Sequence, residues 1–349
     1  MSSAHPAQIL ALLRSGREIE IGGPHRDWAA GGQPEKPSLA QLGFGFAAIY
    51  LIWGSTYLGI RYAVATIPPL IMMGIRHFVA GMVVFGWVRA RGVPAPSRQQ
   101  WRGAAIAAAM LFLGGHGVLA WGEQKVPSGL AALLCATLPL WTVLVARLDG
   151  SEPRLGWRAW TGTLLGFAGV ALLMGVDILG RRLDWVAALG VLSSAPLWAV
   201  GTSYIRRADL PSSKLLSAAM QMIYGGLWLL LVGLLVGEGG RIHIHQITAR
   251  SVLSLAYLIV FGSIVAFTVY TWLISASSPS MLATYAYVNP VIAVFLGWAL
   301  AGEALSLRVL AATLVIVAGV ILVTARSDRS VNLRGRVRVS EWRAEADGA

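Results

Sequence analysis

Charge is what this sequence has least of. Only 16 of its 349 residues are acidic, and Asp, Glu, Lys and Arg together supply 13%, about half of the roughly 25% that water-soluble domains carry. So little charge cannot keep a soluble surface wetted, which excludes soluble enzymes and nucleic-acid binders. Cysteine is nearly missing as well. The single Cys135 forbids an internal disulfide, and its apolar run marks a small packing residue rather than a reactive thiol. The first 43 residues hold no apolar core followed by a small-residue cleavage site, so no signal peptide is expected. No Gly-rich loop followed by Lys is present to cradle phosphate, which argues against ATP as an energy source. His243-x-His245 lacks the further ligands that a metal site needs. Neither cofactor nor metal is expected.

Apolar residues, by contrast, make up 56% of the chain and raise its mean hydropathy to +0.66. They fall into ten spans, near 44–64, 69–89, 103–122, 127–146, 158–176, 185–205, 215–236, 251–273, 280–300 and 306–325. Each is roughly 20 residues, enough at about 1.5 Å per residue to cross a hydrocarbon core of about 30 Å. Lipid offers the backbone no hydrogen bonds, and the spans are about twice the length of a barrel strand, so all ten are expected to be helices.

Orientation follows from where the basic residues fall, because basic loops stay in the cytoplasm. With the N-terminus inside, Arg89, Arg91, Arg98, Arg102, Arg147, Arg154, Arg158, Arg206, Arg207, Lys214 and both tails share the cytoplasmic face. Only Arg61, Lys125, Arg181, Arg182, Arg241, Arg250 and Arg308 are left for the other. Both termini are therefore expected inside, and the net charge of +12 is explained without a nucleic acid. The tails, residues 1–43 and 326–349, read as largely disordered, with a short helix suggested over 7–20.

The second half of the chain echoes the first. Gly54-Ser55-Thr56-Tyr57 matches Gly201-Thr202-Ser203-Tyr204. Pro127-Ser128 followed by Pro139 matches Pro279-Ser280 followed by Pro290, and Ala168-Gly169-Val170 matches Ala318-Gly319-Val320. The three matches are collinear at an offset of about 150 residues, as an internal repeat requires. The halves are 44–178 and 184–325. Five spans per half is an odd number, so the second half enters the membrane from the opposite face. Inverted repeats are a transporter architecture, with substrate bound near the midplane between halves.

Ile52-Trp53-Gly54-Ser55-Thr56-Tyr57, Arg76, Tyr287-Val288-Asn289-Pro290 and Gly302-Glu303-Ala304-Leu305 together resemble the EamA domain, from about residue 44 to 325. His116-Gly117, Glu123 and Val126-Pro127-Ser128-Gly129 are similar to the YedA-type exporters of the drug/metabolite transporter superfamily. The resemblance implies a ten-helix carrier of the bacterial inner membrane that exports amino acids or related small metabolites. It also implies a central cavity built mainly from helices one, three, four, six, eight and nine. The long N-terminal tail departs from the compact family pattern.

Several residues stand out within the spans. Arg76 lies about seven residues past Pro69, roughly 10 Å deep, where an unpaired charge costs about 3 kcal/mol or more. It either binds a substrate carboxylate or takes part in gating, or is satisfied structurally, by helix-end carbonyls or Glu123. His116 and Glu123, two turns apart on one face, are the groups that proton coupling uses; the alternative is an ordinary loop-edge acid beside Lys125. His77, a step round the helix from Arg76, reads as a packing histidine. Asn289 offers donor and acceptor to a zwitterion or glues helices. Trp53, Tyr57, Trp121, Trp198, Tyr204 and Tyr285 sit at similar depth, and with Thr137 complete the expected binding set; Tyr285 and Tyr287 are too far apart round a helix to face one ligand together. Pro139, Pro196 and Pro290 are expected hinges. Gly162-x-x-x-Gly166 and Gly233-x-x-x-Gly237 allow helices to approach closely, and Glu303 is expected to cap helix ten. Expected partners are a small-molecule substrate and the lipid bilayer, and a homodimer is compatible with this reading. The competing class is a membrane-embedded enzyme or receptor built on Arg76, His116 and Glu123, for which no converging nucleophile or metal triad appears.

Overall fold

In the computed structural model, described over residues 38–150, 157–174, 184–277 and 284–324, every regular element is helical. The tails and the short helix suggested over 7–20 lie outside the described residues, apart from 38–43. Helices stand at all ten expected positions. They are α1 (Leu39–Ala63), α2 (Pro69–Ala90), α3 (Arg98–Gly122), α4 (Ser128–Leu148), α5 (Trp157–Met174), α6 (Trp185–Ile205), α7 (Lys214–Leu235), α8 (Ala249–Ala276), α9 (Tyr285–Ala301) and α10 (Leu307–Thr324). Seven of them, α1 to α4 and α6 to α8, are long and apolar enough to cross a membrane; α9 and α10 contain shorter apolar stretches, Val288–Ala301 and Leu307–Leu322.

Caps explain where the helices begin. α1 and α3 each start about five residues ahead of the apolar spans. Ser38 with Gln41, and Ser97 with Gln100, form reciprocal capping boxes that satisfy the first free N–H groups. The first repeat thus opens at Leu39, inside the expected tail. Asp184 caps α6 by accepting from Ala187 N–H. The Lys125 ammonium, 2.7 Å away, and that N–H hold the Asp184 carboxyl below its usual range.

Three helices are irregular in ways that the apolar pattern does not show. α4 breaks between Ser128–Cys135 and Leu138–Leu148, with Pro139 in the first turn of the second piece. α3 and α8 each widen into a π-helical segment, Ala109–Gly117 and Leu258–Val265. The two segments are separated by the repeat offset, so each repeat carries one. The other expected hinges differ: Pro196 and Pro290 lie inside unbroken helices.

Packing follows the repeat. α2 packs on α7 and α5 on α10; α1 packs on α8 and α9, as α6 packs on α3 and α4. Exchanging each helix for its counterpart five along leaves this pattern unchanged. Loop contacts fix the directions. Thr66 Oγ1 donates to Ser251 Oγ at 2.8 Å, and Lys125 meets Asp184. The end of α1 therefore lies at the face where α6 and α8 begin, and Arg207, after α6, meets Asp149, after α4, at the other face.

Candidate functional site

The cavity forms at mid-depth, where the irregular helices meet, and encloses about 220 Å³. α1 contributes Trp53, Thr56 and Tyr57, α2 Arg76, and α3 Gly115, His116 and Leu119. Cys135, Ala136 and Pro139 come from the break in α4, and Ser194 and Trp198 from α6. Gly262, Phe267 and Tyr270 of α8 and Tyr285, Asn289 and Pro290 of α9 close the ring. Most of the expected set lines the cavity: Trp53, Tyr57, Arg76, His116, Trp198, Tyr285 and Asn289, with Pro139 and Pro290.

Four expected binding or coupling residues lie elsewhere. Trp121 is 39% exposed and packs against Gly190 on the outer side of α3 and α6. Thr137 is buried at the break in α4, where its hydroxyl donates to Leu134 O at 2.7 Å. Tyr204 sits in the last turn of α6, beyond the lining residues. Glu123 continues the Gly115 and Leu119 stripe one turn past the cavity, where α3 has ended. Pro196 lies between the lining residues Ala195 and Trp198 without lining the cavity itself. The side chain of Tyr287 lies outside the described residues.

Arg76 is 3% exposed. Its Nε donates to Ser263 Oγ at 3.0 Å and its Nη2 to Gly262 O at 3.5 Å, while Nη1 meets only Met73 Sδ at 3.7 Å. Among the described residues no carboxylate lies within ion-pair distance of it, and Glu123 acts on it only from farther away. Gly262 makes the room: a Cβ there would meet Arg76 Nη2 at 3.2 Å. Gly115 plays the same part in the other repeat, where a Cβ would meet Trp198 at 2.9 Å. Each π segment thus presents a glycine to the cavity.

Two aromatic clusters wall the site. Trp53 packs within 5.7 Å of the rings of Phe267, Tyr270 and Tyr285, and its Nε1 donates to Gly262 O at 3.3 Å. On the other side Trp198 packs on His116, whose ring stacks on His77 at 4.9 Å. His116 Nδ1 and His77 Nε2 share a hydrogen bond of 3.0 Å. His77 is therefore a packing histidine, as its position suggests, but one joined to the cavity wall. Four polar groups stay unpaired among the described residues although buried: Asn289 Oδ1, His77 Nδ1, Trp141 Nε1 and the carboxylate of Glu123. Asn289 Oδ1 belongs to a cavity-lining residue and is an acceptor awaiting a donor.

Glu303 corrects another expectation. It caps α4 rather than α10: Oε1 accepts from Ser128 N–H and Oγ at 2.8 and 2.7 Å, and Oε2 from Gly129 N–H at 3.0 Å. Gly233 packs against Leu70 and Ile71, whereas Gly237 ends α7 at φ 79° and makes no such contact.

Sequence reasoning missed Phe267, Tyr270, Ser194 and the pair Gly262-Ser263. The last was within reach, since it interrupts the apolar run 258–265 at the position that the repeat offset assigns to Gly115-His116.

The profile of the EamA-like transporter family matches this sequence twice, over residues 42–175 and 185–325. The inner membrane transporter YedA of Escherichia coli K12 is 38% identical over 283 residues, covering 79% of this chain and 88% of its own length. The transporter YvbV of Bacillus subtilis is 26% identical, covering 80% and 90%. A solved crystal structure 21% identical to the chain superposes with a TM-score of 0.56 over 83% of this chain and 98% of that one. At that identity the likeness concerns the fold alone.

Proposed function

The chain belongs to the EamA-like transporter family and is a membrane transporter, not an enzyme; from that premise we propose that it exports small amphipathic carboxylates, amino acids or related metabolites, by alternating access. Two inverted five-helix repeats rock about the central cavity, ten helices cross the bacterial inner membrane, and both termini lie in the cytoplasm. The observation that carries this reading is Arg76, a buried guanidinium lining an aromatic cavity with no acid in direct contact among the described residues. A substrate carboxylate supplies the missing charge, and the aromatic clusters hold an apolar side chain. Asn289 Oδ1 accepts from a substrate N–H. The exchangeable packing pattern supports the rocking motion, because each repeat keeps the same contacts when the halves trade places.

Inward proton flow drives export through Glu123, with His116, hydrogen-bonded to His77, on the cavity wall. Glu123 is 2% exposed and unpaired among the described residues, an environment in which a carboxyl group is readily held neutral and can exchange a proton as its surroundings change. Counterflow in proteoliposomes tests both parts. Radiolabelled amino acids and related carboxylates should exchange across the bilayer, and an inward proton gradient should stimulate uphill transport. In Glu123→Gln the stimulation should vanish while exchange continues. Wild-type transport indifferent to the gradient removes the proton step; no exchange by any member of the panel removes the substrate class.

A further inference from the structure

Two ion pairs occupy matched places at opposite faces of the helix bundle. At one face Arg61, near the end of α1, meets Glu303, just after α9, with Nη1 to Oε1 at 3.3 Å. At the other Arg207, just after α6, meets Asp149, just after α4, with Nη2 to Oδ2 at 3.1 Å. Exchanging repeats turns α1 into α6 and α9 into α4. Each pair is thus the image of the other, and each ties the first repeat to the second.

The partners are unequal in the same way at both faces. The carboxylates are held: Glu303 is 9% exposed and caps α4, and Asp149 is 13% exposed and accepts from Ser203 Oγ. The arginines are more exposed, 35% and 58%, and each adds one bond to a backbone carbonyl, Arg61 to Val126 O and Arg207 to Asp149 O. A carboxylate fixed by other bonds stays satisfied when its arginine leaves, and a partly exposed arginine exchanges its pair and one carbonyl bond for water. Such a bond can be made and broken in every cycle.

Resting on the alternating-access reading above, we propose that Arg61–Glu303 and Asp149–Arg207 are the two gate latches of the transporter. Each half-cycle releases one latch and keeps the other. Both are made at once here, the arrangement required of a state between the two openings.

Cys135 supplies a built-in reporter, since it is the single cysteine of the chain and lines the cavity. The full-length protein is reconstituted in vesicles and treated from either face with a small membrane-impermeant anionic thiosulfonate; Cys135→Ser gives the background. Arg61→Ala should raise the rate of Cys135 modification from the Arg61 face about fivefold relative to the opposite face, the shift expected from losing one partly exposed pair. Arg207→Ala should bias labelling toward the Arg207 face by a similar factor. Arg61→Lys and Arg207→Lys, which keep the charge, should restore the wild-type ratio. If wild-type Cys135 is reached from both faces and neither alanine variant moves the ratio, or both move it in one direction, the latches are refuted and alternating access stands. If Cys135 is reached from one face only in wild type and in every variant, or from neither although it reacts in the detergent-solubilised protein, alternating access itself fails and the latches with it.

Discussion

Arg76→Gln is expected to weaken binding of a carboxylate substrate about 100-fold while leaving the folded protein as stable as before. The first half follows from desolvation. A carboxylate entering an aromatic cavity gives up much of its water, and without a cation to receive it the loss is about 3 kcal/mol, or about two orders of magnitude in Kd. The second half follows from the absence of any carboxylate partner for Arg76 among the described residues. Removing one member of a buried ion pair destabilises a protein, but removing an unneutralised buried cation takes away a desolvated charge. Arg76→Lys keeps the charge and loses the planar fork, so a loss of about tenfold is expected. Isothermal titration against a carboxylate and its uncharged amide, alongside thermal unfolding in detergent, separates the roles. Unchanged affinity together with a lowered melting temperature would make Arg76 a structural residue.

Gly319→Leu should act in the opposite manner, costing stability without touching the site. α5 and α10 cross where Gly319 faces Gly162 and Gly166: a Cβ on Gly319 would lie 2.7 Å from both Gly162 O and Gly166 N. These are backbone atoms, which cannot swing aside. Helices in lipid have no hydrophobic drive toward one another and hold by close packing. Leucine at this crossing is expected to cost about 3 kcal/mol or more, and alanine about 1 to 3. Unfolding in detergent measures this. Substrate affinity per folded molecule should be unchanged, because neither α5 nor α10 supplies a described cavity-lining residue.

Much of this was legible in the sequence, and the remainder was hidden for identifiable reasons. Hydropathy located helices at all ten positions because each must satisfy its own backbone in lipid. Arg76 was conspicuous because a lone charge inside an apolar run is expensive. The π segments were invisible: the glycines at 114, 115, 117 and 262 weaken an α-helix there, but nothing in the apolar pattern distinguishes a wider turn from a regular one. Proline was a poor guide for the same reason. Pro139 follows a break while Pro290 lies in an unbroken helix, although the repeat makes them equivalent. Glu303 was assigned to the nearest helix start in sequence, and distance along the chain cannot reveal that the free N–H groups at Ser128 lie beside it.

Arg76 also bears on how membrane voltage acts on the cycle. The empty cavity holds one fixed positive charge and, among the residues lining it, no acid. A bound monocarboxylate cancels that charge, whereas a zwitterion leaves it in place. In the proposed alternating-access cycle a carrier loaded with a monocarboxylate reorients without moving charge, and the empty carrier returns carrying a cation through part of the electric field, a step worth up to about 2.3 kcal/mol per 100 mV. An inside-negative potential pulls that empty carrier back toward the cytoplasm, so voltage acting on Arg76 biases a monocarboxylate outward, whereas a zwitterion feels it only through the proton that enters in exchange.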